Sequence, residues 1–97
     1  MKDIPLLQKV IKETYGCDSR HVQSVPVTEK FGGQIAWDGT VEIFDLIGHP
    51  MAKRAYAWSY QEGDQIKSVA VLEITPVDSP RSAVKVAIAS KAQRPKN

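Results

Sequence analysis

The sequence predicts an α+β fold: a single two-layer domain with the order α-β-β-β-β-α, in which an antiparallel four-stranded sheet carries two helices on one face. Helical periodicity is confined to the two ends of the chain, and strand-like alternation fills the middle. Short polar or glycine-containing segments separate the strands, as in hairpins. A length of 97 residues is typical of one domain with one hydrophobic core.

The first helix is predicted by apolar residues that recur at helical spacing near the N-terminus, namely Ile4, Leu7, Val10 and Ile11. They predict a helix over residues 3–15. Asp3 can cap its beginning, and Gly16 can adopt the left-handed conformation that ends a helix.

The first two strands are predicted over residues 21–31 and 34–47, where β-branched residues and alternation replace the helical pattern. The glycine pair at 32–33 can form the tight turn of a hairpin between them. Pro26 cannot donate a ladder hydrogen bond, so the first strand is expected at the edge of the sheet.

The next two strands are predicted over residues 54–60 and 65–75, joined by a polar loop that contains a glycine. Ser79 followed by Pro80 is a typical beginning of a helix, which is predicted over residues 79–92. Residues 93–97 are expected to form a frayed basic tail.

The fourth strand is apolar on both faces. Val69 and Val71 have one parity, and Ala70, Leu72 and Ile74 have the other. In a two-layer domain the face away from the helices must then also be covered, most simply by a second subunit. The sequence thus predicts a homodimer, formed sheet to sheet or edge to edge.

The third strand places its large residues on one face and its small residues on the other; the large set is Arg54, Tyr56, Trp58 and Tyr60. If these aromatic residues are displayed, they form a stacking surface for bases or a patch for a protein partner. If they face inward, they pack on the alanines of the second helix, Ala83, Ala87 and Ala92. Matching of large against small residues favours the inward arrangement.

The segment between the second and third strands contains four polar residues that form a candidate polar corner: Asp45, His49, Lys53 and Arg54. Asp45 has the parity of the apolar Ile43, so alternation fails there, either through a bulge or because both faces are buried. A buried Asp45 needs a partner from among the other three. A structural carboxylate is favoured over a catalytic acid.

The sequence argues against an enzyme and indicates no catalytic residues. The single thiol, Cys17, follows the end of a helix, where the negative end of the dipole disfavours a thiolate. Two histidines and one cysteine without paired spacing do not predict a metal site. No glycine-rich phosphate loop is present, so no cofactor is expected.

Positive charge is concentrated at the C-terminus. Residues 1–78 hold eight Lys/Arg and eleven Asp/Glu, whereas residues 79–97 hold no acid and five cations: Arg81, Lys85, Lys91, Arg94 and Lys96. This candidate basic patch can attract a polyanion, or it can be a solvated surface that favours the end of a helix. The element order is similar to that of double-stranded RNA-binding domains, but those have three strands and a lysine cluster where this chain has only Arg81 and Lys85.

Two classes of function follow from these patterns. The first is a small non-enzymatic interaction module, self-associating or bound to a protein partner through an apolar sheet face. The alternative is binding of RNA or single-stranded nucleic acid through Arg54, the aromatic residues of the third strand and the basic C-terminal helix. The absence of a long apolar run predicts no membrane association, and the single cysteine suits a cytoplasmic location.

Overall fold

The computed structural model of the protein describes residues 4–93, so residues 94–97 of the predicted basic tail lie outside the described residues. The elements in chain order are α1 (Ile4–Tyr15), β1 (Asp18–Phe31), β2 (Gln34–Ile47), β3 (Arg54–Glu62), β4 (Gln65–Leu72) and α2 (Pro80–Gln93). The strands form one antiparallel sheet in the order β1-β2-β3-β4. The predicted class, element order and four-stranded sheet are confirmed.

The largest differences from the predicted boundaries lie at the outer strands. β1 begins at Asp18 instead of residue 21, and β4 ends at Leu72 instead of residue 75. Beyond β4 the backbone turns at once, because the amide of Ile74 donates to the carbonyl of Leu72 at 2.9 Å. Pro26 lies on β1, which is an edge strand as its missing amide hydrogen predicts.

The two helices pack on opposite faces of the sheet. Trp58 belongs to the hydrophobic cluster that contains Val84 of α2, whereas its neighbour Ala57 belongs to the cluster that contains Leu7 of α1. Neighbouring residues of a strand point to opposite faces, so these clusters lie on opposite sides of β3. The structure therefore corrects the predicted two-layer arrangement with both helices on one face: the layers are helix, sheet and helix.

The α1 side of the core combines large residues of α1 with small residues of β3 and one large residue of β2. Leu7 and Ile11 of α1 are fully buried with Phe44 of β2 and with Ala55 and Ala57 of β3. The small alanine side chains let the helix approach the sheet closely, while Phe44 fills the space beside them. This packing sets the position of α1 over the sheet.

The α2 side has the opposite distribution of size. Tyr56 and Trp58 of β3 are buried in a cluster with Ala83 and Val84 of α2. The rings of Trp58 and Trp37 meet edge to face, with centroids 5.6 Å apart. Small helix residues thus oppose large residues of β3 on this face, whereas large helix residues oppose small residues of β3 on the other.

The sheet consists of two long hairpins joined at their base. β1 pairs with β2, and β3 with β4, along nearly their whole length. Within these described strands, β2 pairs with β3 only from Glu42 opposite Ala57 to Asp45 opposite Arg54. The residues near this junction are therefore positioned by three strands at once.

α2 begins at a reciprocal pair of serines. The amide of Ser82 donates to the hydroxyl oxygen of Ser79 at 3.1 Å, and the amide of Ser79 donates to the hydroxyl oxygen of Ser82 at 2.9 Å. Ser79 is thus the N-cap that the sequence predicts, and Ser82 has the position of the acid in a capping box. Among the described helices, none is long and apolar enough to cross a membrane.

Candidate functional site

The polar corner is organised around Asp45, whose side chain is partly buried, with 34% of its surface exposed. Its Oδ1 accepts a hydrogen bond from Nε of Arg54 at 3.1 Å, and its Oδ2 accepts one from Nη2 of Arg20 at 3.4 Å. These residues are direct neighbours in the sheet, because Arg20 pairs with Asp45 and Asp45 pairs with Arg54. Both carboxylate oxygens are occupied, which is typical of an ion-pair ladder that joins strands.

The failed alternation at Asp45 results from burial on both sides of β2, not from a bulge. Ile43 packs on the α2 side, Phe44 and Leu46 pack on the α1 side, and the pairing with β3 continues without a shift. The sequence identified Arg54 as a possible partner of Asp45. It did not identify Arg20, because the predicted first strand began one residue too late to include it.

His49 and Lys53 do not form this ladder. Nδ1 of His49 accepts hydrogen bonds from the amides of Met51 at 3.1 Å and Ala52 at 2.9 Å, and this places the ring proton of a neutral His49 on Nε2. Lys53 has an exposed side chain, and its carbonyl accepts from the amide of Leu46 at 2.8 Å. Both residues shape the turn between β2 and β3.

Next to Arg54, the hydroxyl of Tyr56 donates a hydrogen bond to Oε2 of Glu73. The pKa of Tyr56 is raised well above its ordinary value, because burial disfavours the phenolate and because the hydrogen bond and the negative charge of Glu73 favour the protonated form. Burial also raises the pKa of Tyr15. The sequence did not pair Tyr56 with Glu73, since this contact depends on where β4 ends.

We expect the stability contributed by Tyr56 to be present at neutral pH and to be lost in alkali. The unfolded chain releases the phenol proton near pH ~10, whereas the folded chain retains it, so the free energy of unfolding falls above that pH by at most about 1.4 kcal/mol per pH unit. Urea unfolding from pH 7 to pH 11 measures this fall. The slope above pH ~10 should be smaller in Tyr56→Phe, and equal slopes would contradict the assignment.

The aromatic residues of β3 face α2. Tyr56 and Trp58 have exposed fractions of 2% and 3%, and Tyr60 is partly buried. Ala83 and Ala87 belong to the same packed region, as the inward arrangement predicts, while the side chain of Ala92 lies outside the described part of the chain. This stripe is part of the core, and Tyr56 and Trp58 offer no stacking surface.

The candidate basic patch is described only at its beginning. Nε of Arg81 lies 3.0 Å from Oε2 of the buried Glu29, and Nη2 of Arg81 lies 3.5 Å from the carbonyl of Thr28. Lys85 is exposed. The side chain of Lys91, and all of Arg94 and Lys96, lie outside the described residues. Arg81 therefore serves the contact between α2 and β1.

A polar cluster that the sequence did not predict lies on the α1 face, at the junction of the hairpins. Nε2 of His21 is 2.8 Å from Oε1 of Glu42, and the hydroxyl of Ser24 donates to the same oxygen. A shift in the register of β1 at Val22 brings His21 and Ser24 to one face, although their spacing would place them on opposite faces of a regular strand. Only this irregularity assembles the cluster.

The cluster has the residue types of a serine hydrolase but not the arrangement. Oγ of Ser24 is 3.4 Å from Nε2 of His21, the same nitrogen that contacts Glu42. A catalytic histidine takes the serine proton on one nitrogen while an acid orients the other. Here the serine proton is held by the carboxylate, so the arrangement suits a hydrogen-bonded link between β1 and β2.

The outer edge of β1 is protected against pairing with another strand. The carbonyl of Ser19 accepts a hydrogen bond from Nε2 of Gln8 at 3.0 Å, and Arg81 reaches the carbonyl of Thr28. Pro26 has no amide hydrogen, and the irregularity at Val22 interrupts the strand. Proline, bulges and covering side chains are the usual means by which edge strands avoid association.

The orientation of the backbone groups of β4 follows from one hydrogen bond. The amide of Glu73 donates to the carbonyl of Arg54 at 2.9 Å, so these opposite residues form a hydrogen-bonded pair. Such pairs alternate with non-hydrogen-bonded pairs along an antiparallel ladder. The backbone groups that point away from β3 are therefore those of Ile66, Ser68, Ala70 and Leu72.

Two of these outward carbonyls are occupied within the chain. The hydroxyl of Tyr15 donates to the carbonyl of Ala70 at 2.8 Å, and Leu72 accepts from the amide of Ile74. Among the contacts that the structure describes, none reaches the outward backbone groups of Ile66 or Ser68. The first half of β4 is consequently an open edge, with no proline and no register shift.

The apolar residues of β4 are less buried than their neighbours on β3. Those from Val69 to Leu72 are all partly exposed, whereas the opposite residues of β3, Ala55 to Trp58, are all buried. Both faces of β4 share this property: Val69 and Val71 pack as partly buried residues against the cluster under α2, and Ala70 and Leu72 against the cluster under α1. We name the outer side of β4 from Ile66 to Leu72 the β4 edge.

No protein-family model, no curated protein and no solved structure matches this chain. Among the residues that the structure describes, no three His, Cys, Asp or Glu side chains form a group that could hold a metal ion. The β4 edge is thus the candidate site that the geometry distinguishes best.

Proposed function

We propose that this protein is a small non-enzymatic interaction module that self-associates through the β4 edge. The observation that carries the proposal is the partial exposure of apolar residues on both faces of an edge strand, Val69 to Leu72, beside the buried residues Ala55 to Trp58 of β3. A second copy that adds its own β4 in antiparallel orientation would cover both faces and the backbone edge at once.

The contrast between the two edges of the sheet supports the choice of β4. β1 has a proline and a bulge, whereas β4 has no proline and pairs with β3 without a register shift. Its only charged residue is Lys67. Two-fold pairing of β4 strands would give a continuous antiparallel sheet across both copies.

The helices on both faces change the reason for expecting association. From the sequence, the apolar residues on the second face of the sheet were expected to be buried by a second subunit. In the structure, α1 of the same chain packs on that face. Sheet-to-sheet association is therefore no longer needed to explain the apolar pattern of β4. Edge-to-edge association would bury the apolar residues and the outward backbone groups of the β4 edge, which the helices leave partly exposed.

We expect sedimentation velocity over a series of concentrations up to about 1 mM to show reversible dimerisation. Ile66→Lys should weaken it, because Ile66 is 62% exposed on the β4 edge and a new charge would oppose the second copy. Ile35→Lys is the matched control, since Ile35 is 60% exposed on β2. A wild-type chain that stays monomeric throughout, or equal weakening by both variants, would contradict the proposal.

A non-enzymatic role is supported by how the polar side chains are used. The two carboxylates near the sheet junction, Asp45 and Glu42, each contact cross-strand partners, and His49 accepts hydrogen bonds that hold a turn. These contacts account for the polar residues as structural links. A cytoplasmic location belongs to the same proposal, because Cys17 is buried as a free thiol.

Nucleic-acid binding remains the second candidate from the sequence, and no contact among the described residues favours it. Stacking by Tyr56 and Trp58 would require both to leave the core, and Arg81 is paired with Glu29. Duplex and single-stranded RNA titrated at low salt would test it. Strong binding that weakens steeply with salt would support the basic segment as the site.

A further inference from the structure

We propose that the hydroxyl of Tyr15 acts as a removable cap that limits pairing at the β4 edge. This inference rests on the proposed self-association and names the residue that regulates it. The cap is the hydrogen bond to the carbonyl of Ala70 at 2.8 Å, which occupies an outward acceptor in the middle of the edge.

The carbonyl of Ala70 is the acceptor that an added strand uses in most registers. The outward residues form the row Ile66, Ser68, Ala70 and Leu72. When two copies pair antiparallel, residues of this row in one copy lie opposite residues of the same row in the other. Every register in which three or four residues of the row are paired in this way includes Ala70. A register that avoids Ala70 matches only Ile66 and Ser68, and therefore forms half of the available ladder.

The position of Tyr15 is set by two neighbouring elements. It is the last residue of α1, and its ring meets that of His49 edge to face with centroids 6.4 Å apart. His49 in turn holds the loop between β2 and β3 through the amides of Met51 and Ala52. The end of α1 and this loop therefore determine together whether the hydroxyl reaches β4. Burial raises the pKa of Tyr15, which keeps the hydroxyl a donor.

A symmetric dimer contains two such carbonyls, one from each copy. Tyr15→Phe removes the hydroxyl but keeps the ring, so the packing of α1 should be unchanged while both carbonyls become free to accept from the second copy. Since one net hydrogen bond changes an equilibrium by roughly three- to tenfold, two should tighten the dimer dissociation constant by about tenfold or more.

Sedimentation equilibrium of wild type and Tyr15→Phe measures this change, with circular dichroism as the check that α1 and the sheet are intact. Tyr15→Phe combined with Ile66→Lys should lose the gain, because that charge blocks the same edge. Tyr15→Phe combined with Ile35→Lys should keep it. Ser68→Pro, which removes one outward amide, provides a second edge variant if Ile66→Lys alters the fold.

The outcomes separate the inference from the function on which it rests. A wild-type dimer that Tyr15→Phe tightens supports both. A monomeric wild type with a dimeric Tyr15→Phe supports the cap and overturns constitutive self-association. A wild-type dimer unchanged by Tyr15→Phe overturns the cap alone, and monomers in every case overturn both.

Discussion

Replacement of Phe44 with alanine is expected to lower the free energy of unfolding by about 3–5 kcal/mol. Phe44 is fully buried on β2, within the cluster formed by Leu7 and Ile11 of α1. Its ring also meets that of His21, with centroids 5.4 Å apart. The loss combines the removed apolar surface with the cavity left between α1 and the sheet. Urea denaturation followed by circular dichroism measures it.

The same strand supplies a control for this substitution. Ile47 is 59% exposed, so Ile47→Ala should change stability by no more than about 0.5 kcal/mol. If Phe44→Ala cost no more than this control, α1 would not be anchored on Phe44 as described. The packing of α1 on Phe44 would then not account for the position of Tyr15, whose hydroxyl contacts Ala70 of β4.

Trp58→Ala is the second substitution with a large expected effect, again about 3–5 kcal/mol. Trp58 is buried against α2 and Trp37, on the opposite side of the sheet from Phe44. Its removal should loosen α2 and weaken the near-ultraviolet circular dichroism signal, which arises from packed aromatic rings. Thermal or urea unfolding of the variant measures the loss.

Trp58→Ala also tests whether the aromatic stripe is core or displayed. If Trp58 were part of a displayed surface, its removal would leave stability unchanged and affect only binding. Ile66→Ala is a matched substitution on the adjacent β4, where the side chain is 62% exposed and little stability should be lost. Equal small losses from both variants would contradict the core assignment of β3.

The element types and their order followed from local patterns, because periodicity and turn residues report the secondary structure of their own segment. Pro26 correctly predicted an edge strand, because the residue itself lacks the amide hydrogen that a central strand needs for pairing on both sides. The placement of α1 and α2 on opposite faces did not follow. Alternation in β3 separates large from small residues but does not say which helix covers which face.

The polar contacts also fall into two groups: those between residues close in sequence, which could be predicted, and those that depend on strand pairing, which could not. Arg54 was among the predicted partners of Asp45 because both lie near one turn. Arg20 reaches Asp45 only because the register of β1 against β2 places the two residues opposite each other. The contact of His21 with Glu42, as part of its cluster with Ser24, depends on an irregularity in β1. Register shifts depend on pairing between distant segments, so residue spacing within one strand does not reveal them.

The sequence by itself determined the helices, the four strands and their order, since these arise from propensities and periodicities over a few residues. It also showed that β4 is apolar on both faces. Only the tertiary structure decided what covers those faces: α1 on one side and α2 on the other, with the β4 edge left partly exposed. The reason is physical, because burial depends on packing between segments far apart in the chain, and the same apolar residues suit either a helix or a second copy.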